Sequence, residues 1–130
     1  MYDTSILIIE DDVGSIKALE LLLYGIKHNT IIVTTGEEGL EYLSKHKNVV
    51  LILLDVMLPE MSGLEFLSIA KADPGLKNIP IILQSAVDER DLQRGKGTSA
   101  DGCLEKPYTR ERLLALINRI KKREGAMEYP

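Results

Sequence analysis

The chain has 130 residues, 45% of them hydrophobic, with a formal net charge of −4 and an isoelectric point near 5.2. That length suits one domain, and the scarcity of aromatic residues (5%, no Trp) makes its core aliphatic. The acidic balance argues against direct nucleic-acid binding, the single Cys excludes an internal disulfide framework, and no apolar run approaches the roughly 20 residues of a membrane helix.

The opening Met-Tyr-Asp-Thr-Ser lacks the basic start and apolar run of a signal peptide, so the expected location is the cytoplasm. Residues 5–9, Ser-Ile-Leu-Ile-Ile, read as a buried strand that ends on Glu10, Asp11 and Asp12. A helix follows, with Val13, Ile16, Leu19, Leu22 and Leu23 at helical spacing and Gly25 as its stop. Asp12 reads best as the cap of that helix. Residues 30–34 form a β-branched strand, and Thr35 with Glu38 has the spacing of a capping box for a helix running to about His46.

The central strand, 49–54, ends abruptly at Asp55. Pro59 and Gly63 turn the chain, and Ser62 with Glu65 forms a second capping box. The helix from about Gly63 to Ala72 buries Leu64, Leu67 and Ala70 or nearby neighbours and stops at Asp73-Pro74-Gly75. A fourth strand, 80–84, ends at Ser85; residues 88–96 form a weakly anchored, largely charged helix. The short fifth strand, 102–105, ends at Lys106-Pro107, and Thr109 caps an amphipathic helix with Leu113, Leu116, Ile117 and Ile120 inward. Residues 124–130 carry no pattern and are expected to fray. His28 and His46 read as exposed loop and helix-end residues.

Strand and helix thus alternate five times. The expected fold is α/β: a single five-stranded parallel sheet with helices on both faces, occupying residues 1–123. In such a sheet the carboxyl ends of all strands share one edge, which is where open α/β sheets place their sites. That edge gathers Glu10, Asp11, Asp55, Ser85 and Lys106. Three carboxylates in one cleft repel unless a cation sits among them, and Mg²⁺ suits such a donor set. A lysine and a hydroxyl beside a metal-bound carboxylate suit a phosphoryl group, with Asp55 as the nucleophile.

Four segments then converge on one family. Ile-Ile-Glu-Asp-Asp (8–12), Leu-Asp-Val-Met-Leu-Pro-Glu-Met-Ser-Gly (54–63), Gln-Ser-Ala (84–86) and Ala-Asp-Gly-Cys-Leu-Glu-Lys-Pro (100–107) appear in the order and at the spacing of a response-regulator receiver domain, and the chain resembles that family over residues 4–123. The resemblance implies a flavodoxin-like (βα)5 fold and two-component signalling. It implies that Asp55 accepts a phosphoryl group from a sensor histidine kinase or histidine phosphotransfer protein. Glu10, Asp11, Asp55 and the backbone carbonyl of Met57 would hold Mg²⁺, while Ser85 and Lys106 would bind the phosphate oxygens. It further implies a cis Lys106–Pro107 bond, and a domain that assists its own phosphorylation and dephosphorylation without being a dedicated enzyme. The face made by residues 88–96, the fifth strand and the last helix would control an output domain or protein. Neither a membrane nor a nucleic acid is an expected direct partner, and the domain would be a monomer or a phosphorylation-dependent dimer.

Two positions depart from the family pattern. Cys103 stands where a switch Tyr or Phe is usual, so output would rest on backbone shifts; a small buried apolar role suits the thiol better than reactivity. Met57 and Val87, two beyond Asp55 and Ser85, offer nothing to orient a hydrolytic water, which implies slow loss of the phosphoryl group. A haloacid-dehalogenase-type phosphatase shares the strand-end Asp, but needs a second Asp where Met57 stands.

Overall fold

The computed structural model describes residues 2–86 and 99–123. The described elements are β1 (Ser5–Ile9), α1 (Val13–Leu22), β2 (Asn29–Val33), α2 (Gly36–Lys45), β3 (Val49–Asp55), α3 (Gly63–Ala72), β4 (Ile81–Ser85), β5 (Gly102–Glu105) and α4 (Arg110–Arg123). The helix expected over 88–96, Val87 and the tail 124–130 lie outside the described residues.

All five strands pair in parallel, in the order β2-β1-β3-β4-β5. Strand residues alternate between the two faces, so each face needs its own cover. Leu7, Ile9, Ile52, Leu54, Ile81 and Leu83 pack with Leu43 of α2 and Phe66, Leu67 and Ala70 of α3. Ile6, Ile8, Leu51, Leu53 and Ile82 pack on the opposite side with Leu19 of α1 and with Leu113, Leu116, Ile117 and Ile120 of α4. Burial of both faces explains why the strands are continuous aliphatic runs.

Several local expectations shift. Asp55 is the last residue of β3, and Ser85 the last of β4; β2 begins and ends one residue earlier than expected. Val13 is 64% exposed, because the first turn of α1 stands proud of the sheet edge; the inward anchors are Leu19 and Leu23. In α3 the near neighbour Phe66 is fully buried with Leu67 and Ala70, and Leu64 is half-buried. The box at Ser62 and Glu65 is complete, whereas that at Thr35 is displaced: Thr35 accepts from the Glu38 N–H, but the Glu38 carboxylate reaches back to the Thr34 N–H at 3.1 Å. Asp12 caps α1, accepting from the Ser15 N–H at 2.8 Å. His28 is partly buried against Thr4, while His46 is exposed and stacks on Tyr42. Gly25 ends α1's trailing turn at φ +86°, where a side chain would be strained.

Candidate functional site

The strand register sets the site. Ile9 lies opposite Leu54, Leu54 opposite Leu83, and Asp55 opposite Gln84. Glu10, one residue past Ile9, therefore stands level with Asp55, and Ser85 stands one residue further along, opposite Glu105. Lys106 follows at once, its N–H donating to the Ser85 carbonyl at 2.7 Å. The Lys106–Pro107 bond is cis.

The carboxylates of Glu10, Asp11 and Asp55 offer oxygen atoms all within 4.8 Å of one another. Glu10 and Asp55 are buried and Asp11 is exposed at the mouth. Lys106 closes the inner side: its ammonium is 2.7 Å from Glu10 Oε1 and 3.7 Å from Asp55 Oδ2, and it donates to Ser15 Oγ at 3.3 Å. The second Glu10 oxygen accepts from the Asp12 N–H at 3.1 Å, and Asp55 Oδ1 from the Met57 N–H at 3.3 Å. The Met57 side chain is 71% exposed and takes no part in these bonds.

The turn after Asp55 is held by backbone. The Gly63 N–H donates to the Val56 carbonyl at 2.9 Å, and a Cβ at Gly63 would lie 2.2 Å from the Asp55 carbonyl oxygen. Only glycine allows α3 to begin this close to the strand end. Burial, followed by the neighbouring Glu10 carboxyl, raises the Asp55 pKa to about 6, with Lys106 opposing the rise.

Five expected residues, Glu10, Asp11, Asp55, Ser85 and Lys106, thus stand along one edge, where the three carboxylates and the Lys106 ammonium meet. Three neighbours were not singled out as site residues in the sequence: Ser15, which receives Lys106; Gln84, buried beside Asp55; and Tyr108, whose hydroxyl donates to Gln84 Oε1. A polar residue inside the aliphatic run of β4 was the available signal for Gln84. Burial and the negative field of Glu10 and Asp55 push the Tyr108 hydroxyl pKa well upward, keeping it protonated as a donor. Cys103 is buried on the α2–α3 side of the sheet, as a small apolar residue would be.

The response regulator receiver domain family matches residues 6–118 of this sequence. The chain belongs to that family. It is therefore a receiver domain of two-component signalling, a class of domain that works with kinases and output domains. The receiver domain is 36% identical over 118 residues to the cell cycle response regulator CtrA of Brucella ovis, covering 91% of this chain and 50% of that protein. It thus spans about half the length of the curated relatives it matches. The receiver domain of a signal transduction histidine kinase from Syntrophus aciditrophicus superposes with a TM-score of 0.82 at 30% identity, over 98% of this chain and 96% of that one. The receiver domain of a Pseudomonas aeruginosa sensor histidine kinase, solved with magnesium coordinated in its active site cleft, has the same fold: TM-score 0.77, 22% identity, covering 89% and 95%. Among the described residues, no helix is long and apolar enough to cross a membrane.

Proposed function

We propose that this receiver domain accepts a phosphoryl group on Asp55 from a phosphohistidine of a sensor kinase or phosphotransfer protein, and that the modified site changes an output surface. The observation that carries this reading is the Lys106 ammonium set against both Glu10 and Asp55 within a three-carboxylate cluster. Such a cluster fits a hard divalent cation. Glu10, Asp11, Asp55 and the Met57 carbonyl would hold Mg²⁺, which when bound would offset the charge of the carboxylates and the incoming phosphoryl oxygens.

The chain's own groups do the rest. An Asp55 oxygen attacks phosphorus; the new P–O bond forms as the P–N bond breaks, and the histidine nitrogen keeps the electron pair. Lys106, freed in part from Glu10, moves onto a phosphoryl oxygen. Ser85, at the end of β4 with its carbonyl bonded to Lys106, donates its hydroxyl to another. The displacement of Ser85 passes to the chain beyond it and to the surface of β5 and α4, without an aromatic swing at Cys103. We place the working unit within residues 1–123, in the cytoplasm, with an output domain or protein as its recipient and a phosphorylation-dependent dimer as one form of it.

Borohydride trapping tests the assignment. It reduces an aspartyl phosphate to homoserine, which peptide sequencing is expected to find at position 55; labelled chain with homoserine elsewhere, or none, contradicts the reading.

A further inference from the structure

A closed ring of hydrogen bonds surrounds the first turn of α1. One Glu10 oxygen accepts from the Asp12 N–H at 3.1 Å, and the Asp12 carboxylate accepts from the Ser15 N–H at 2.8 Å. The Ser15 hydroxyl oxygen accepts from the Lys106 ammonium at 3.3 Å, and Lys106 completes the ring on the other Glu10 oxygen at 2.7 Å. Capping by Asp12 uses the backbone N–H of residue 15 and requires no particular side chain there. The Ser15 hydroxyl also bonds the Asp12 carboxylate. Its one O–H is then engaged and its lone pairs face an acceptor's task, which a hydroxyl polarised by a carboxylate performs well.

An ammonium carries three N–H donors. Among the described residues Lys106 uses two of them, on Glu10 and on Ser15. Asp55 Oδ2, at 3.7 Å, lies beyond hydrogen-bond reach. The lysine is thus held on the α1 side of the site, near Asp55 but not bonded to it. Glu10 belongs to the carboxylate cluster; Ser15 is the hydrogen-bond partner of the ammonium that stands outside the cluster and carries no charge.

We propose that Ser15 is a positioning residue for Lys106: its hydroxyl keeps the ammonium on the α1 side and stays bonded while Lys106 pivots from Glu10 onto a phosphoryl oxygen at Asp55. This role rests on the phosphoacceptor reading above and adds to it the group that aims the lysine. Stabilisation of developing charge depends on donors already in place, and a long lysine stem does not fix its own ammonium. A neutral anchor suits the task, because a second carboxylate there would hold the ammonium too strongly for it to leave.

The test compares the native full chain with Ser15→Ala and Ser15→Thr. Phosphoramidate labelling with Mg²⁺ present, followed by intact mass, gives the rate. Side-chain NMR relaxation of Lys106, measured on the unmodified chain, gives the order of its ammonium end. Ser15→Ala is expected to slow labelling about three- to tenfold and to loosen the Lys106 end. Ser15→Thr, which keeps the hydroxyl, is expected to restore the rate to within about twofold and to restore the order. A labelled native chain whose rate and Lys106 order are unchanged in Ser15→Ala overturns this role alone. Ser15→Thr as slow as Ser15→Ala assigns the loss to the packing of α1 and also overturns it. A native chain that takes no label at Asp55 overturns the phosphoacceptor reading, and this role with it.

Discussion

Lys106 and Glu10 form an ion pair of 2.7 Å in which the carboxylate has no solvent exposure and the lysine side chain keeps 22% of its own. The pair joins residues 96 positions apart in sequence and ties the end of β5 to the end of β1. A buried carboxylate deprived of its partner is costly.

Lys106→Met is therefore expected to destabilise the chain by roughly 2–4 kcal/mol in Mg²⁺-free buffer. If the cluster holds a cation as proposed, Mg²⁺ restores more stability to the variant than it adds to the native chain. Urea unfolding with EDTA or with Mg²⁺ checks both; an equal Mg²⁺ effect on the two chains contradicts the arrangement. Phosphorylation of the variant is expected to be slowed even where it is folded, because Glu10 gains a cation but the phosphoryl oxygen loses its ammonium.

Asp55 gives the pH dependence. Its pKa is raised from 3.8 to about 6 in the fold, chiefly by burial. The native state therefore binds more protons than the unfolded one between those values, and stability falls as pH rises through that window. The loss levels off once the pH is well above 6, at no more than about 3 kcal/mol. Asp55→Asn, which carries no charge to bury, is expected to match the native chain near pH 4 and to be more stable above pH 6, measured by thermal unfolding without Mg²⁺. A constant difference across the range contradicts this. Phosphorylation at limiting Mg²⁺ is expected to drop as pH falls through about 6, and saturating Mg²⁺ to move that midpoint lower.

Most of the architecture was legible in the sequence because it rests on strong local signals. Aliphatic runs that end on polar residues gave β1, β3 and β4, and helical spacing gave the inward face of α4 residue by residue. The convergence of Glu10, Asp55 and Lys106 followed from the topology, since parallel strands share a carboxyl edge. The misses are tertiary. Val13 fits the helical stripe of α1 but projects past the sheet, so nothing remains for it to pack on. Glu38 meets the Thr34 backbone because the chain enters α2 from an extended Thr35, geometry that spacing does not encode. Gln84 and Tyr108 find one another across 24 positions, a pairing that only coordinates show.

Gly63 and Gly25 separate site effects from simple strain. Gly63→Ala places a Cβ 2.2 Å from the Asp55 carbonyl oxygen, where backbone must move. It is expected to cost about 2 kcal/mol or more and to slow phosphorylation by displacing Asp55. Gly25→Ala meets no atom within 4 Å but sits at φ +86°, so it is expected to cost about 1 kcal/mol with phosphorylation unchanged. Unfolding curves and labelling rates of the two variants check the contrast, and equal labelling rates contradict it.

Met57 bears on the lifetime of the modified state. Its exposed thioether beside Asp55 cannot hold a water for in-line attack, and the apolar side chain of Val87 offers no hydrogen bond to one either. Slow self-dephosphorylation is expected, with Met57→Gln shortening the lifetime. Loss of label from purified protein measures it, and a native lifetime of seconds contradicts the expectation.

The most direct test of the central claim is the intact mass of the chain after incubation with phosphoramidate. With Mg²⁺ present, the mass is predicted to rise by one phosphoryl group in the native chain, and not in Asp55→Ala or when EDTA replaces the metal. No gain under any condition, or an equal gain in Asp55→Ala, would contradict Asp55 as the acceptor.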